Sequence, residues 1–270
     1  MHRIKTKFRQ LAQKQAKALV TFVTAGDPEP QIFRDLLAQL PQAGADIIEI
    51  GMPFSDPMAD GPEIQLANQR ALAHDVHPAM ILSMVADFRK QDNVTPIVLM
   101  GYFNPVRHHG LSAFVTEAVN AGVDGLILVD LPPEEEQLRT LCQQAGLDLI
   151  RLVSPMTDDL RLAQITRNVT GFIYAISVTG ITGFKSADPD TVKRYIARVK
   201  KASASDLPVV VGFGIDSPEK AQAIYPVADG IVVGSALVKT IRLAVEQHLA
   251  GDLIVKNLIK QVKALRAVQC

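Results

Sequence analysis

A carboxylate sits inside an otherwise apolar run, Ile47-Ile48-Glu49-Ile50. If that run is a buried strand, Glu49 loses its hydration and its carboxyl holds a proton to higher pH than usual. Acids buried without a partner are rare outside functional sites. The alternative is an ion pair with a Lys or Arg on a neighbouring strand, but the inner strand runs offer few such partners. Asp60 follows in a turn-rich stretch that also holds Asp56-Pro57, Asp60-Gly61 and Glu63. A single loop acid is ordinarily a turn former or a solvated charge. Two carboxylates from one strand–loop unit, one desolvated and one in polar surroundings, can divide acid and base roles between them.

A second constellation lies far along the chain. Gly212-Phe213-Gly214 and Gly234-Ser235 each follow an apolar run, and the second opens a helical pattern. Glycines let backbone N–H groups approach an anion, and a helix N-terminus favours negative charge, so the pair reads as a phosphate seat that requires no lysine. Tight turning of short loops is the plainer reading of either glycine pair alone. Before both of them in the chain, residues 177–187 read SVTGITGFKSA, with the small residues of a closing lid or of a surface loop. The six histidines form no metal-ligand spacing; His74 and His77 have no acidic or cysteine companion, and His108-His109 are adjacent. No nucleophile elbow or Walker loop is present, and nothing in the sequence calls for a metal or an organic cofactor.

These groups need a frame. Short apolar runs at 18–24, 46–50, 96–100, 125–129, 148–153, 171–176, 208–211 and 230–233 read as strands. Amphipathic stretches between them, such as 31–40, 79–89, 111–121, 133–145, 158–166 and 189–201, read as helices. Uniformly apolar strands are buried on both faces, and strand–helix alternation implies parallel βαβ units. Eight units over 270 residues predict an α/β fold, a single (β/α)8 TIM barrel domain spanning 1–270, better than an open doubly wound sheet. Thr24-Ala25-Gly26-Asp27-Pro28 stands where an open sheet would carry its glycine fingerprint. Ile4, Phe8 and Leu11 at helical spacing predict an extra N-terminal helix docked on the barrel. In such a barrel, function sits at the C-terminal strand ends, where Glu49, Asp60 and both glycine pairs fall.

Composition narrows the classes. Lys plus Arg and Asp plus Glu are balanced at 28 each, which argues against bulk attraction to nucleic acid. No apolar run is long enough to span a membrane, and the basic N-terminus lacks the apolar core of a secretory signal. Cys142 and Cys270 form no disulfide framework, so a reducing cytoplasm is expected.

Taken together, LVTFVTAGDP (19–28), PFSDPMADGPEIQ (53–65), MGYFNP (100–105), ITGF (181–184), GFGI (212–215) and VVGSALV (232–238) resemble the tryptophan synthase alpha chain family, from about residue 3 to residue 265. The stretch at 53–65 is specific to that family, whereas GFGI and VGSA occur in many phosphate-binding barrels. The resemblance implies an aldolytic lyase that splits indole-3-glycerol phosphate into indole and glyceraldehyde 3-phosphate. It implies no cofactor in this chain and an alpha2-beta2 complex with a beta chain that carries pyridoxal phosphate. The family's catalytic acids match Glu49 and Asp60. Its phosphate contacts match Gly183, Gly212, Phe213, Gly214, Gly234 and Ser235. Its indole pocket matches Phe22, Met100, Tyr102, Ile127, Val129 and Tyr174, and its lid threonine matches Thr182. Val178 stands where many members carry arginine, and Met100 and Val129 differ from the commoner pocket residues. Partner contacts are expected in loops at Asp56-Pro57, Asn104-Pro105 and Leu131-Pro132-Pro133. The alternatives are a free-standing indole-releasing lyase, another phosphate-sugar enzyme on the same barrel, and a non-catalytic activating subunit. Retention of both Glu49 and Asp60 argues against the last.

Overall fold

The structure, a computed structural model, describes residues 2–132, 134–176, 189–203, 207–212 and 214–269. Its strands are β1 (Ala18–Thr24), β2 (Ile47–Gly51), β3 (Ile97–Gly101), β4 (Gly125–Leu128), β5 (Asp148–Val153), β6 (Ile173–Ile176), β7 (Val209–Gly212) and β8 (Gly230–Val233). All neighbours pair in parallel, and β8 pairs with β1 to close the barrel. The helices are α1 (Arg3–Gln13), α2 (Pro30–Ala43), α3 (Pro62–Leu72), α4 (Pro78–Arg89), α5 (Phe103–His109), α6 (Leu111–Ala121), α7 (Glu136–Ala145), α8 (Asp159–Arg167), α9 (Pro189–Ala202), α10 (Pro218–Ile224), α11 (Ser235–Glu246) and α12 (Gly251–Ala267). The expected (β/α)8 barrel with an added N-terminal helix is therefore the observed architecture.

Three strands keep their sequence-derived limits, and β3 and β7 start one residue late for a reason. Pro96 and Pro208 have no N–H to enter the ladder, although their carbonyls accept from Ile48 and Ile173. A larger difference concerns residues 53–65, expected to be loop. Helix α3 already begins at Pro62, whose fixed φ suits the first helical position, so Glu63 belongs to a helix turn.

Strand side chains alternate between two buried layers. Leu19, Ile48, Ile50 and Leu99 face outward to the helices. Val20, Phe22, Ile47, Val98, Ile127, Tyr174 and Val232 face the barrel axis. Glu49 lies between Ile48 and Ile50 on a strand, so the same alternation turns it inward. Ile4, Phe8 and Leu11 of α1 join the inward layer and close the N-terminal mouth, with Phe8 5.9 Å from Phe172 between ring centroids. Each such buried side chain stabilises by roughly 1.5–3 kcal/mol.

Polar groups fix that closure. Arg3 of α1 and Arg89 of α4 bind the two oxygens of Asp124 at 2.8 and 2.7 Å. Asp124 also accepts the Ile97 N–H at 2.8 Å, Asp46 the Leu19 N–H at 3.0 Å, and Asp229 the Val209 N–H at 2.9 Å. An aspartate just before an even-numbered strand thus caps the start of the odd strand beside it, three times around the barrel. Among the described residues, no helix is long and apolar enough to cross a membrane.

Candidate active site

Glu49 pairs in register with Phe22 on β1 and Val98 on β3 and has no solvent exposure. Neither carboxylate oxygen has a hydrogen-bond partner among the described residues. Burial alone pushes its carboxyl up from 4.5 to about 8. That shift keeps Glu49 protonated near neutral pH. Nearby, burial and then the Glu49 charge push the Tyr174 phenol well above its usual value.

Asp60 sits between β2 and α3, half-buried, in a turn closed by its N–H to the Pro57 carbonyl at 3.0 Å. Burial raises its carboxyl, while hydrogen bonding by Asn68 and Tyr102 acts in the opposite direction. The Asn68 amide donates to Oδ2 at 3.2 Å, and the Tyr102 hydroxyl accepts the Ala59 N–H at 2.9 Å. Burial chiefly, and then the Asp60 charge, lift the Tyr102 phenol to about 12, so it stays a donor. Phe54 stacks on Tyr102 at 5.1 Å between centroids and stiffens the turn.

A cavity of ≈ 430 Å³ opens at the C-terminal end of the barrel. It gathers Phe22, Met100, Tyr174, Gly212, Gly214, Gly234 and Ser235 from the expected set. Gly212 is needed for space, because a Cβ there would meet the Tyr174 ring at 2.8 Å. Gly214 has φ +60°, which a side chain would strain. Ser235 begins α11, and its N–H and that of Ala236 precede the reach of the helix's own carbonyls. Ile127 is fully buried in the inward layer and Val129 half-buried against it; neither lines this cavity. Thr182, Gly183 and Phe213 lie outside the described residues, as does the lid segment that includes Val178. Among the described residues, no cluster of His, Cys, Asp or Glu could hold a metal ion.

Several residues escaped the sequence reading. Asn68 is 3% exposed on the buried face of α3, alongside Ala67 and Ala71. A polar side chain on such a face is a signal that could have found it. Ile64 and Lys239 also line the cavity, and no local pattern marks them; Glu63, noted in the sequence only as a neighbour of Asp60, lines it too. Two of the expected partner loops differ from expectation. Asn104-Pro105 lies within the short helix α5, and Leu131 is buried, its carbonyl accepting from Arg151 at 2.7 Å.

The family model described as tryptophan synthase alpha chain matches residues 8–266. The chain belongs to the tryptophan synthase alpha chain family. With the family come the reaction class, a lyase, and a place in L-tryptophan biosynthesis. The solved tryptophan synthase subunit alpha from Legionella pneumophila str. Paris is 40% identical, with 99% of this chain and 98% of that chain covered and a TM-score of 0.91. A tryptophan synthase structure from M. tuberculosis in an aminoacrylate-bound form is 32% identical over 100% of both chains, with a TM-score of 0.86.

Proposed function

We propose that this barrel cleaves indole-3-glycerol phosphate to indole and glyceraldehyde 3-phosphate, with Glu49 and Asp60 as its catalytic residues. The observation that carries the residue assignment is Glu49, wholly buried and unpartnered on the inner wall of the barrel. Its protonated carboxyl delivers a proton to indole C3. The positive charge that results spreads to the indole nitrogen, where ionised Asp60 accepts the N–H and stabilises it. The Glu49 carboxylate then takes the proton of the side-chain hydroxyl as the carbon–carbon bond breaks. Indole leaves with the new C3 hydrogen, the aldehyde forms, and Glu49 regains its proton. Asn68 and Tyr102 hold Asp60 for this role.

Phe22, Met100 and Tyr174, which line the cavity, form the apolar bed for the indole ring, with Ile127 and Val129 in the inward apolar layer and Tyr102 beside Asp60. The phosphate is seated on backbone N–H groups near Gly212, Gly214, Gly234 and Ser235, with Gly183 and Phe213 completing the seat and Thr182 closing over Asp60. No step requires a metal or cofactor of this chain. The whole chain works as one barrel domain in the cytoplasm.

The catalytic face carries exposed apolar side chains that a lone barrel would leave in water. Met58, beside Asp60, is 85% exposed, and Met156 and Leu160 beyond β5 are 78% and 82% exposed. This surface, with Asp56-Pro57, Asn104-Pro105 and Pro132, receives a beta chain in an alpha2-beta2 complex, the pyridoxal phosphate belonging to that partner. The test mixes purified chain with indole-3-glycerol phosphate, with and without a beta chain, and measures indole. No indole in either arm overturns the reaction. Equal rates in both, with no co-elution, would favour a free-standing lyase.

A further inference from the structure

The wall of the ≈ 430 Å³ cavity includes a side chain that should oppose a phosphate: Glu63 lines it together with Ser235 and Lys239. Arg242 meets that carboxylate with a two-pronged grip, Nε to Oε2 at 2.7 Å and Nη2 to Oε1 at 3.1 Å. Hydrogen bonding by Arg242 holds the Glu63 carboxyl below its usual value, so the carboxylate is ionised and paired. Ser235, Lys239 and Arg242 are spaced four and then three residues apart, so they share one face of α11. Successive turns of that face present the helix N-terminus, a lysine, and an arginine turned to α3. Asp216, the other acid on the cavity wall, is likewise paired, with Lys220 at 2.7 Å.

We propose that Arg242 sets phosphate affinity without touching the ligand: it masks the Glu63 carboxylate, and thereby lets a phosphate monoester settle at the N-terminus of α11. The inference rests on the phosphate placement proposed above. A lone carboxylate on the wall repels a dianion across the cavity, whereas Arg242 offsets the Glu63 charge there, its Nη1 also donating at 2.6 Å to Glu246, which does not line the cavity. Arg242 is thus a positioning residue that acts through Glu63. The pair also joins α3 to α11, so a purely structural strut is the competing account, and the two accounts rank the variants differently.

The experiment titrates glycerol phosphate by calorimetry at low salt into the parent chain, Arg242→Met, Glu63→Gln and the double variant, and measures indole release on the same preparations. Masking predicts that Arg242→Met weakens glycerol phosphate binding and raises KM by roughly five- to tenfold, with kcat within twofold of the parent. Glu63→Gln binds as well as the parent or better, the double variant recovers to within twofold, and Arg242→Lys retains most of the affinity. Added salt narrows the gap between Arg242→Met and the parent. A double variant as weak as Arg242→Met overturns the proposal, because Arg242 would then attract the ligand itself. Glu63→Gln as weak as Arg242→Met overturns it in favour of the strut, and unchanged affinity throughout overturns both. A parent that releases no indole but keeps the expected order of affinities loses the reaction and keeps the masking. A parent that binds no glycerol phosphate loses the phosphate placement and the masking together.

Discussion

Asp124 and Glu49 are both buried carboxylates of the same barrel, 6% and 0% exposed, at opposite ends of neighbouring strand pairs. Asp124, at the N-terminal end, is held by Arg3, Arg89 and the Ile97 N–H. Glu49, deeper in the wall and toward the catalytic mouth, is held by nothing among the described residues. The chain can evidently surround a buried acid with cations where closure of the barrel requires it. Where none is supplied, the desolvation of Glu49 goes uncompensated and its proton stays on to about pH 8. One end of the barrel uses acids to hold helices and strands in place; at the other, on the reading proposed above, Glu49 is kept free to move a proton.

The comparison breaks first at Glu49. Glu49→Gln keeps the size of the side chain but cannot deliver the proton, so indole release should fall by roughly 10²–10⁴-fold while the fold survives. Near-normal release from a purified variant would remove Glu49 from the reaction. At the other end, Asp124→Ala should destabilise by about 3 kcal/mol, since two arginines and a strand N–H lose their partner. Urea unfolding checks the loss, and indole release at low temperature should stay within about twofold of the parent. Comparable losses of activity from the two substitutions would erase the division between the two ends.

The pH dependence sharpens the contrast. The folded-state value for Glu49, about 8, lies above the ordinary glutamate value of 4.5. The stability linked to that bound proton is fully present below pH 4.5 and is lost as pH rises through about 8. Glu49→Gln has no such loss, so its stability relative to the parent should grow between pH 5 and pH 8 by at most about 1.4 kcal/mol per unit. Parallel stability curves would show that Glu49 is not desolvated. In the same preparations kcat/KM should decline above about pH 8, as the proton donor ionises. The smallest expected effect is at Asn68. Asn68→Ala removes a single hydrogen bond to Asp60, of the order of 1 kcal/mol, so kcat should fall about fivefold with glycerol phosphate affinity unchanged. A change in that affinity instead would place Asn68 at the phosphate end.

The sequence showed the catalytic end more fully than the supporting one. Glu49 announces itself because a charge in an apolar run has only local explanations, and the glycine pairs do so because glycine is costly without a reason. The strands were legible from continuous apolar runs, with errors where proline removes a ladder donor, as at Pro96 and Pro208. Arg3 with Asp124 and Glu63 with Arg242 could not be read in this way. Their partners lie 121 and 179 residues apart, and an ordinary surface charge looks the same whether it is solvated or paired. Asn104-Pro105 reads as a loop because proline commonly marks turns, yet Pro105 falls within the first turn of α5, where its missing N–H costs nothing.

The plug formed by Ile4, Phe8 and Leu11 has a consequence for traffic. A cylinder stoppered at one end has a single door, so substrate, indole and the triose must all pass the catalytic face. Whatever covers that face decides where a small apolar product goes next: sealed against a second protein, the doorway ceases to open on bulk water and becomes an antechamber of the neighbour.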